Sequence, residues 1–279
     1  MFVFKFGGAS VKNADAVKNI FTILQGYSEN IVVVVSAMGK TTNALEKIIE
    51  NFFIRKEKVL KEEFNQLKEY HYTILNGLFD DKDHEVFADI ENVFEELAAR
   101  LDTDPTLNYD FDYDQIIGFG EILSTKIISH YLQMSGLTSR WMDVRKVLKT
   151  DNNFREGRID WDLSSKLVKE QFEFKKEQIL VTQGFLASTI NNLTVSLGRE
   201  GSDYTAAILA HILKSKSVTI WKDVPGVLNA DPKYFDDTVL IEKLSYLDAI
   251  ELAYYGTSVI HPKTIKPLQN KNINLYVRS

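Results

Sequence analysis

A parallel α/β fold is the architecture this sequence predicts, on three observations. Short β-rich apolar runs recur along the chain, longer amphipathic stretches separate them, and one run, Ile31-Val32-Val33-Val34-Val35, is apolar throughout. Short strands alternating with helices build parallel βαβ units. A strand with no polar alternation is one covered on both faces, so this run is expected at the centre of the sheet. The strands are read at Phe2 to Phe6, Ile31 to Ser36, Gln178 to Gln183, Ser217 to Trp221 and Ile273 to Val277.

The first strand runs into Lys5-Phe6-Gly7-Gly8-Ala9-Ser10, with a helix expected from about Asn13. Glycines let backbone N–H groups approach an anion, a helix start adds partial positive charge, and Lys5 adds a full one. The spacing is neither a Walker loop nor a dinucleotide GxGxxG. Taken alone, an ordinary strand-turn-helix explains it as well. The buried second strand leads into Ser36-Ala37-Met38-Gly39-Lys40-Thr41-Thr42-Asn43, at the carboxyl end of a strand, where open α/β sheets bind ligands. Ser36 and Thr42 have two readings there, as donors to a carboxylate or as helix caps.

From Ala44 to Leu101 the pattern changes to charged, leucine- and phenylalanine-spaced segments such as Phe64 to Phe79 and Glu85 to Leu101, read as a helical insertion. Asp102-Thr103-Asp104-Pro105 closes it, since proline ends helices and aspartate favours turns. Gly118-Phe119-Gly120-Glu121 then opens an apolar helix towards Met134. Glu121 either favours the helix N-terminus or holds a cationic group. Asp151 to Gly157 is a polar connector.

Ser196-Leu197-Gly198-Arg199-Glu200-Gly201-Ser202-Asp203-Tyr204-Thr205 precedes an apolar helix from Ala206 to Leu213. Ser202 and Asp203 are read as helix caps, but capping does not explain an arginine between glycines, whose planar fork suits carboxylate or phosphate. Trp221-Lys222-Asp223-Val224-Pro225-Gly226 begins a long loop that, by itself, reads as a surface turn.

Composition excludes several classes. A net charge of -6 provides no basic excess for nucleic acid, and no apolar run reaches membrane-spanning length. The chain opens on a strand without the pattern of a secretory signal. With no cysteine there are no disulfides or thiolate metal sites, which fits a reducing cytoplasm. His71, His84, His130, His211 and His261 are scattered without helical metal-site spacing.

In this order these segments resemble the aspartokinase family of the amino acid kinase superfamily, over the whole chain. The Lys-Phe-Gly-Gly-x-Ser opening, the Ser-Ala-Met-Gly-Lys-Thr-Thr-Asn loop and the Gly-Glu before the middle helix carry the first half of the likeness. The Leu-Gly-Arg-x-Gly-Ser-Asp-Tyr-Thr-Ala signature, Trp-x-Asp-Val-Pro-Gly and Val259-Ile260-His261-Pro262 carry the second. The resemblance implies a three-layer α/β/α sandwich, the amino acid kinase fold, as one domain over residues 1–279. Its helical insertion would span about 44–105 and its nucleotide-binding part about 195–279; the family normally carries regulatory ACT domains after the kinase domain, and none is expected within these residues.

It implies phosphorylation of the L-aspartate side chain by ATP, the first step towards lysine, threonine and methionine, with Mg²⁺ carried by ATP and no metal ligated directly by protein. A homodimer in the cytoplasm is the assembly expected. By the same resemblance Lys5 and Asp203 are catalytic, and Gly7, Gly8 and Ser10 line the triphosphate. Ser36, Thr42, Glu121, Arg199, Gly201 and Ser202 hold aspartate. Lys222, Asp223, Leu228, Lys233 and Ser258 fall at nucleotide contacts. Ala9 replaces a common threonine, Leu228 a common tyrosine, and Ser258 a phosphate-binding lysine, with Lys233 or Lys263 as substitutes for that charge. Other amino acid kinases, acting on acetylglutamate, carbamate or a nucleoside monophosphate, share the phosphate frame, but Glu121 with Arg199 suits a free amino acid. A non-catalytic amino-acid-binding subunit is the alternative from another class.

Overall fold

The computed structural model describes residues 1–230, 234–254 and 259–279. Strands β1 (Phe2–Phe6) and β2 (Ile31–Val35) flank helix α1 (Ala14–Leu24), whose N-cap is Asn13, its side chain accepting from the amide of Ala16. Five helices follow: α2 (Thr41–Phe53), α3 (Glu57–Leu78), α4 (Glu85–Leu101), α5 (Tyr109–Ile117) and α6 (Phe119–Met134). Then come β3 (Ser139–Met142), α7 (Trp161–Gln171), β4 (Ile179–Gln183) and the short strands β5 (Leu186–Ser188) and β6 (Thr194–Ser196). Helix α8 (Gly201–Leu213), β7 (Ser217–Trp221), α9 (Tyr246–Tyr254), α10 (Pro262–Gln269) and β8 (Asn274–Arg278) complete the chain.

Among the described residues the main sheet has six strands in the order β3-β4-β2-β1-β7-β8, every neighbouring pair parallel. The apolar run of β2 lies inside the sheet, and all five of its residues are buried. Successive side chains of a strand point to opposite faces, and β1 shows both layers at once. Lys5 reaches Asp203 on α8, whereas Phe4 packs against Tyr27, just beyond α1. In register with Phe6, Gln183 of β4 bonds Thr125 of α6. Helices α1 and α6 therefore cover one face and α8 the other, and α7 and α10 pack on α8. The strand read from the polar alternation-free run at 31–36 is thus central, and β3, with Ser139 and Arg140, is an edge strand that no apolar run announced. No described helix is long and apolar enough to cross a membrane.

Parallel register brings the carboxyl ends of β1, β2, β4 and β7 to one edge, and one close contact sets how α8 meets it. A Cβ at Gly184, directly after β4, would stand 2.5 Å from Cβ and Oγ of Ser202 and 2.7 Å from its Cα. The last is backbone and cannot swing aside. Gly184→Ala is expected to lower unfolding free energy by roughly 1–3 kcal/mol, the usual cost of overpacking, measured by urea denaturation; a change within ~0.5 kcal/mol would show that α8 is free to shift.

Candidate active site

A cavity of about 700 Å³ opens at that edge. Of the residues singled out in the sequence, it gathers Lys5, Ser36, Thr42 and Glu121 from the first half of the chain and Arg199, Gly201, Ser202 and Asp203 from the second. Lys5, one residue before the end of β1, is almost fully buried, with its ammonium 2.8 Å from Oδ1 of Asp203, which has no exposed surface. Lys222, the residue after β7, reaches the other oxygen of the same carboxylate at 2.9 Å. Burial pushes the Asp203 carboxyl up, but Lys5 and then Lys222 outweigh it and hold it below the usual range. The capping reading of Asp203 and Ser202 is corrected here. The N-cap of α8 is Glu200, in a left-handed conformation and with no side-chain cap bond, and Asp203 lies inside the first turn.

The glycine loop packs beside this ion pair. The Trp221 carbonyl accepts from the Gly7 amide at 3.2 Å and from the Ser10 hydroxyl at 3.2 Å, so the end of β7 ties the loop down. A Cβ on Gly8 would lie 2.9 Å from the Ala37 carbonyl oxygen, a backbone contact that only glycine avoids. The loops after β1 and β2 therefore touch.

In the same cavity Glu121 is buried in the first turn of α6. Its Oε1 accepts from the Ala37 amide at 3.2 Å, and Oε2 has no hydrogen-bond partner. Burial raises its pKa to about 8, against the lowering influence of the Ala37 amide and of Lys5. The start of α6 is fastened to the β2 loop a second time, where the Ser124 hydroxyl donates to the Ser36 carbonyl at 2.8 Å. Helix α2 begins after Lys40 with no side-chain cap bond, so neither Ser36 nor Thr42 is spent as a cap. Arg199 is exposed on the cavity wall, and among the described residues no carboxylate pairs with it.

Sequence reasoning missed one wall. Tyr113, Phe154, Arg155 and Phe185 also line the cavity, with Glu200 beside Arg199. The 151–157 segment registered only as a polar connector. What holds it is Asp114, buried on α5, whose Oδ2 accepts from the amides of Arg155 at 2.7 Å and Ser196 at 3.0 Å. Arg155 adopts φ 68, costly for a side-chain-bearing residue, and its guanidinium lies over the Tyr113 ring at 4.4 Å. Periodicity carries no trace of such an anchor.

Among the nucleotide positions, Asp223 is exposed and Leu228 is half-buried, bridging to Leu240 away from the cavity. Lys233 and Ser258 lie outside the described residues. Lys263 is not directed to the cavity. Its ammonium donates to the Leu197 carbonyl at 2.9 Å and lies over Tyr204, in a separate recess with Trp161, His211 and Lys266.

With this geometry in hand, the profile of the amino acid kinase family matches residues 1–279. The chain belongs to the amino acid kinase family. It is 34% identical over 283 residues to bifunctional aspartokinase/homoserine dehydrogenase 2 of Arabidopsis thaliana, covering 99% of this chain and 31% of that protein. Lysine-sensitive aspartokinase 3 of Escherichia coli is 32% identical over 283 residues, with 99% of this chain and 61% of that one covered. The crystal structure of E. coli aspartokinase III in complex with aspartate and ADP superposes with a TM-score of 0.91 at 29% identity, over 100% of this chain and 62% of that one. The amino acid kinase fold expected from the sequence is the fold observed, and the chain spans less than two thirds of the length of these relatives.

The Asp114 anchor is testable on the fold alone. Asp114→Ala is expected to cost roughly 1–3 kcal/mol, since a buried amide and a part-buried one lose their acceptor, and to speed hydrogen exchange at 153–156 relative to β2; unchanged exchange there would show the loop is held by other contacts.

Proposed function

We propose that this chain is an aspartate kinase domain, transferring the γ-phosphoryl group of ATP to the β-carboxylate of L-aspartate. The observation that carries the reading is the gathering, in one cavity, of a buried carboxylate with an unpartnered oxygen, a guanidinium unpaired among the described residues, and a lysine–aspartate pair beside a glycine loop. An α-amino acid offers an ammonium to Glu121 and an α-carboxylate to Arg199, with Ser36, Thr42 and Ser202 as further donors. Gly201, a cavity residue two positions after Arg199, lets α8 start against Phe185, where a Cβ would lie 2.7 Å from the ring. The side-chain carboxylate is left directed towards Lys5. The aspartokinases similar in sequence, and the E. coli structure holding aspartate and ADP, support the choice of acceptor and nucleotide.

The chemistry asks little of a base. An aspartate side chain, with an ordinary pKa near ~3.9, is already ionised at neutral pH. One of its oxygens forms the bond to the γ-phosphorus, the bridging bond to the β-phosphate breaks, and its electron pair leaves with ADP, giving 4-phospho-L-aspartate. No proton is transferred. What the protein supplies is alignment and neutralisation of charge on the phosphoryl oxygens, from Lys5 and from the Gly8 amide, with the Gly7 amide and the Ser10 hydroxyl holding the loop in place through the Trp221 carbonyl. Asp203 fixes the Lys5 ammonium at the end of β1.

Among the described residues no group of three or more histidine, aspartate or glutamate side chains is arranged to hold a metal ion. Among the described residues the buried carboxylate beside the glycine loop is Asp203, already between two ammonium groups, a donor set that fits Mg²⁺ bound mainly by the triphosphate. That ion supplies further charge neutralisation. Lys222 and Asp223 follow β7 towards the nucleotide, and Leu228, Lys233 and Ser258 are assigned to it by resemblance. A place at the head of lysine, threonine and methionine synthesis in the cytoplasm, and a homodimer, belong to the same reading.

Purified chain with Mg-ATP and L-aspartate is expected to release ADP in step with aspartyl hydroxamate when hydroxylamine is present, and to do so poorly with glutamate or acetylglutamate. One added methylene is worth only roughly 1–3 kcal/mol of selectivity. ADP and aspartate binding without hydroxamate would refute the assignment. Lys5→Ala should lower kcat by roughly 10²–10³, and a loss under ~10-fold removes Lys5 from the mechanism. Glu121 adds a pH signature. Its proton, held up to about pH 8 in the free site, must leave when an ammonium binds. The KM for aspartate should therefore fall as pH rises from ~6 to ~8, by at most ~10-fold per unit, and Glu121→Gln should flatten that slope; a flat wild-type profile would assign the ammonium elsewhere.

A further inference from the structure

Neutralising Asp203 needs one cation, and the structure provides two. Lys5 takes Oδ1 and Lys222 takes Oδ2, so two ammonium groups share one fully buried carboxylate. The Lys222 ammonium has two further acceptors, the Val259 carbonyl at 2.7 Å and Oε2 of Glu200 at 3.4 Å. Burial disfavours this ammonium, but Asp203 and then Glu200 outweigh it, and its pKa is raised. The side chain is 16% exposed, so holding it costs desolvation that a purely structural pair at Lys5 and Asp203 would not require.

The place of Lys222 is informative. The residue before it, Trp221, gives its carbonyl to the Gly7 amide and the Ser10 hydroxyl, so Lys222 stands at the same glycine loop as Lys5, on the opposite oxygen of Asp203. Glu200 is held at φ 54 between Arg199 and Gly201, a conformation costing a residue with a side chain roughly 1–2 kcal/mol. That backbone places its carboxylate on Lys222. The partners of Lys222 differ in kind. Asp203 is fully buried and fixed, whereas Glu200 is 32% exposed, and water can resolvate it when it is released. The four charges of Lys5, Lys222, Asp203 and Glu200 sum to zero, so the cluster becomes cationic towards a ligand only when Glu200 lets go.

We infer that Lys222 is a second phosphate-contacting cation beside Lys5, and that Glu200 is a positioning residue that holds Lys222 at Asp203 until the nucleotide phosphates displace it. This deepens the kinase reading above and rests on it for the identity of the nucleotide.

The test uses the whole chain and three variants, with ADP and adenosine affinities by calorimetry and steady-state kinetics in ATP and aspartate. Lys222→Met is expected to weaken ADP by roughly 10–100-fold, the worth of a charge-assisted contact, while adenosine affinity and the aspartate KM hold and kcat falls. Lys222→Arg should restore part of both losses. Glu200→Gln removes the competitor for Lys222, so ADP should bind more tightly while kcat drops, a split that loss of structure does not produce. Unchanged ADP affinity in Lys222→Met, equal weakening of ADP and adenosine, or weaker ADP binding in Glu200→Gln would each overturn the inference, as would a wild-type chain that binds ADP no better than adenosine. Wild-type turnover is judged separately: no aspartate-dependent ADP release defeats the aspartate reading, while the ADP and adenosine comparison still decides Lys222.

Discussion

The buried carboxylate of Asp203 is the constraint on which the rest of this site depends. It belongs to α8, one of the layers packed on the sheet, yet its oxygens are taken by the ends of β1 and β7. A charge with no exposed surface is tolerable only when its partners are fixed, because an unpaired one would lose far more in desolvation than any single contact returns. The pair therefore dictates where α8 sits along the sheet. That placement carries Arg199 to the cavity wall, and the Trp221 carbonyl then sets the glycine loop. The active edge is thus held by electrostatics at one end and, at the other, by the bonds that fasten α6 to the loop after β2.

Much of this was legible in the sequence because the elements concerned are governed by local rules. A strand covered on both faces must be apolar throughout, and Ile31–Val35 is both. Asn13 announces α1 because a short polar side chain at that point satisfies a free amide. Arg199 between glycines stood out because no local rule explains it. The same reasoning failed where a local rule gave a sufficient answer. Asp203 and Ser202 looked like caps, but the chain turns into α8 two residues before Ser202, through the left-handed Glu200, so a backbone conformation displaced the expected role.

Other features were not legible because they exist only across long separations in sequence. Strand β3 is short, polar in part and at the sheet edge, with Arg140 reaching Glu173 and Glu177, so it shows neither an apolar run nor alternation. The wall around Arg155 depends on Asp114 bonding amides about 41 and 82 residues away. Glu200 and Lys222 both occupy positions that the motifs leave open, and their meaning appears only when β7 and the start of α8 are brought side by side. Spacing cannot encode a contact that topology makes.

The close seating of Gly184 on Ser202 has a bearing on how this cavity can change over evolutionary time. Ser202 lines the pocket there and is seated so closely on Gly184 that its side of the cavity cannot yield to a larger acceptor without moving a helix. The opposite side is a surface segment, and a single carboxylate receives its amide there. The wall around 153–156 is therefore the part of the acceptor pocket that a substitution can reshape at the least cost to the fold. The ion-pair cluster around Asp203 offers no such freedom. One fold can in this way keep its phosphoryl donor while its acceptor drifts.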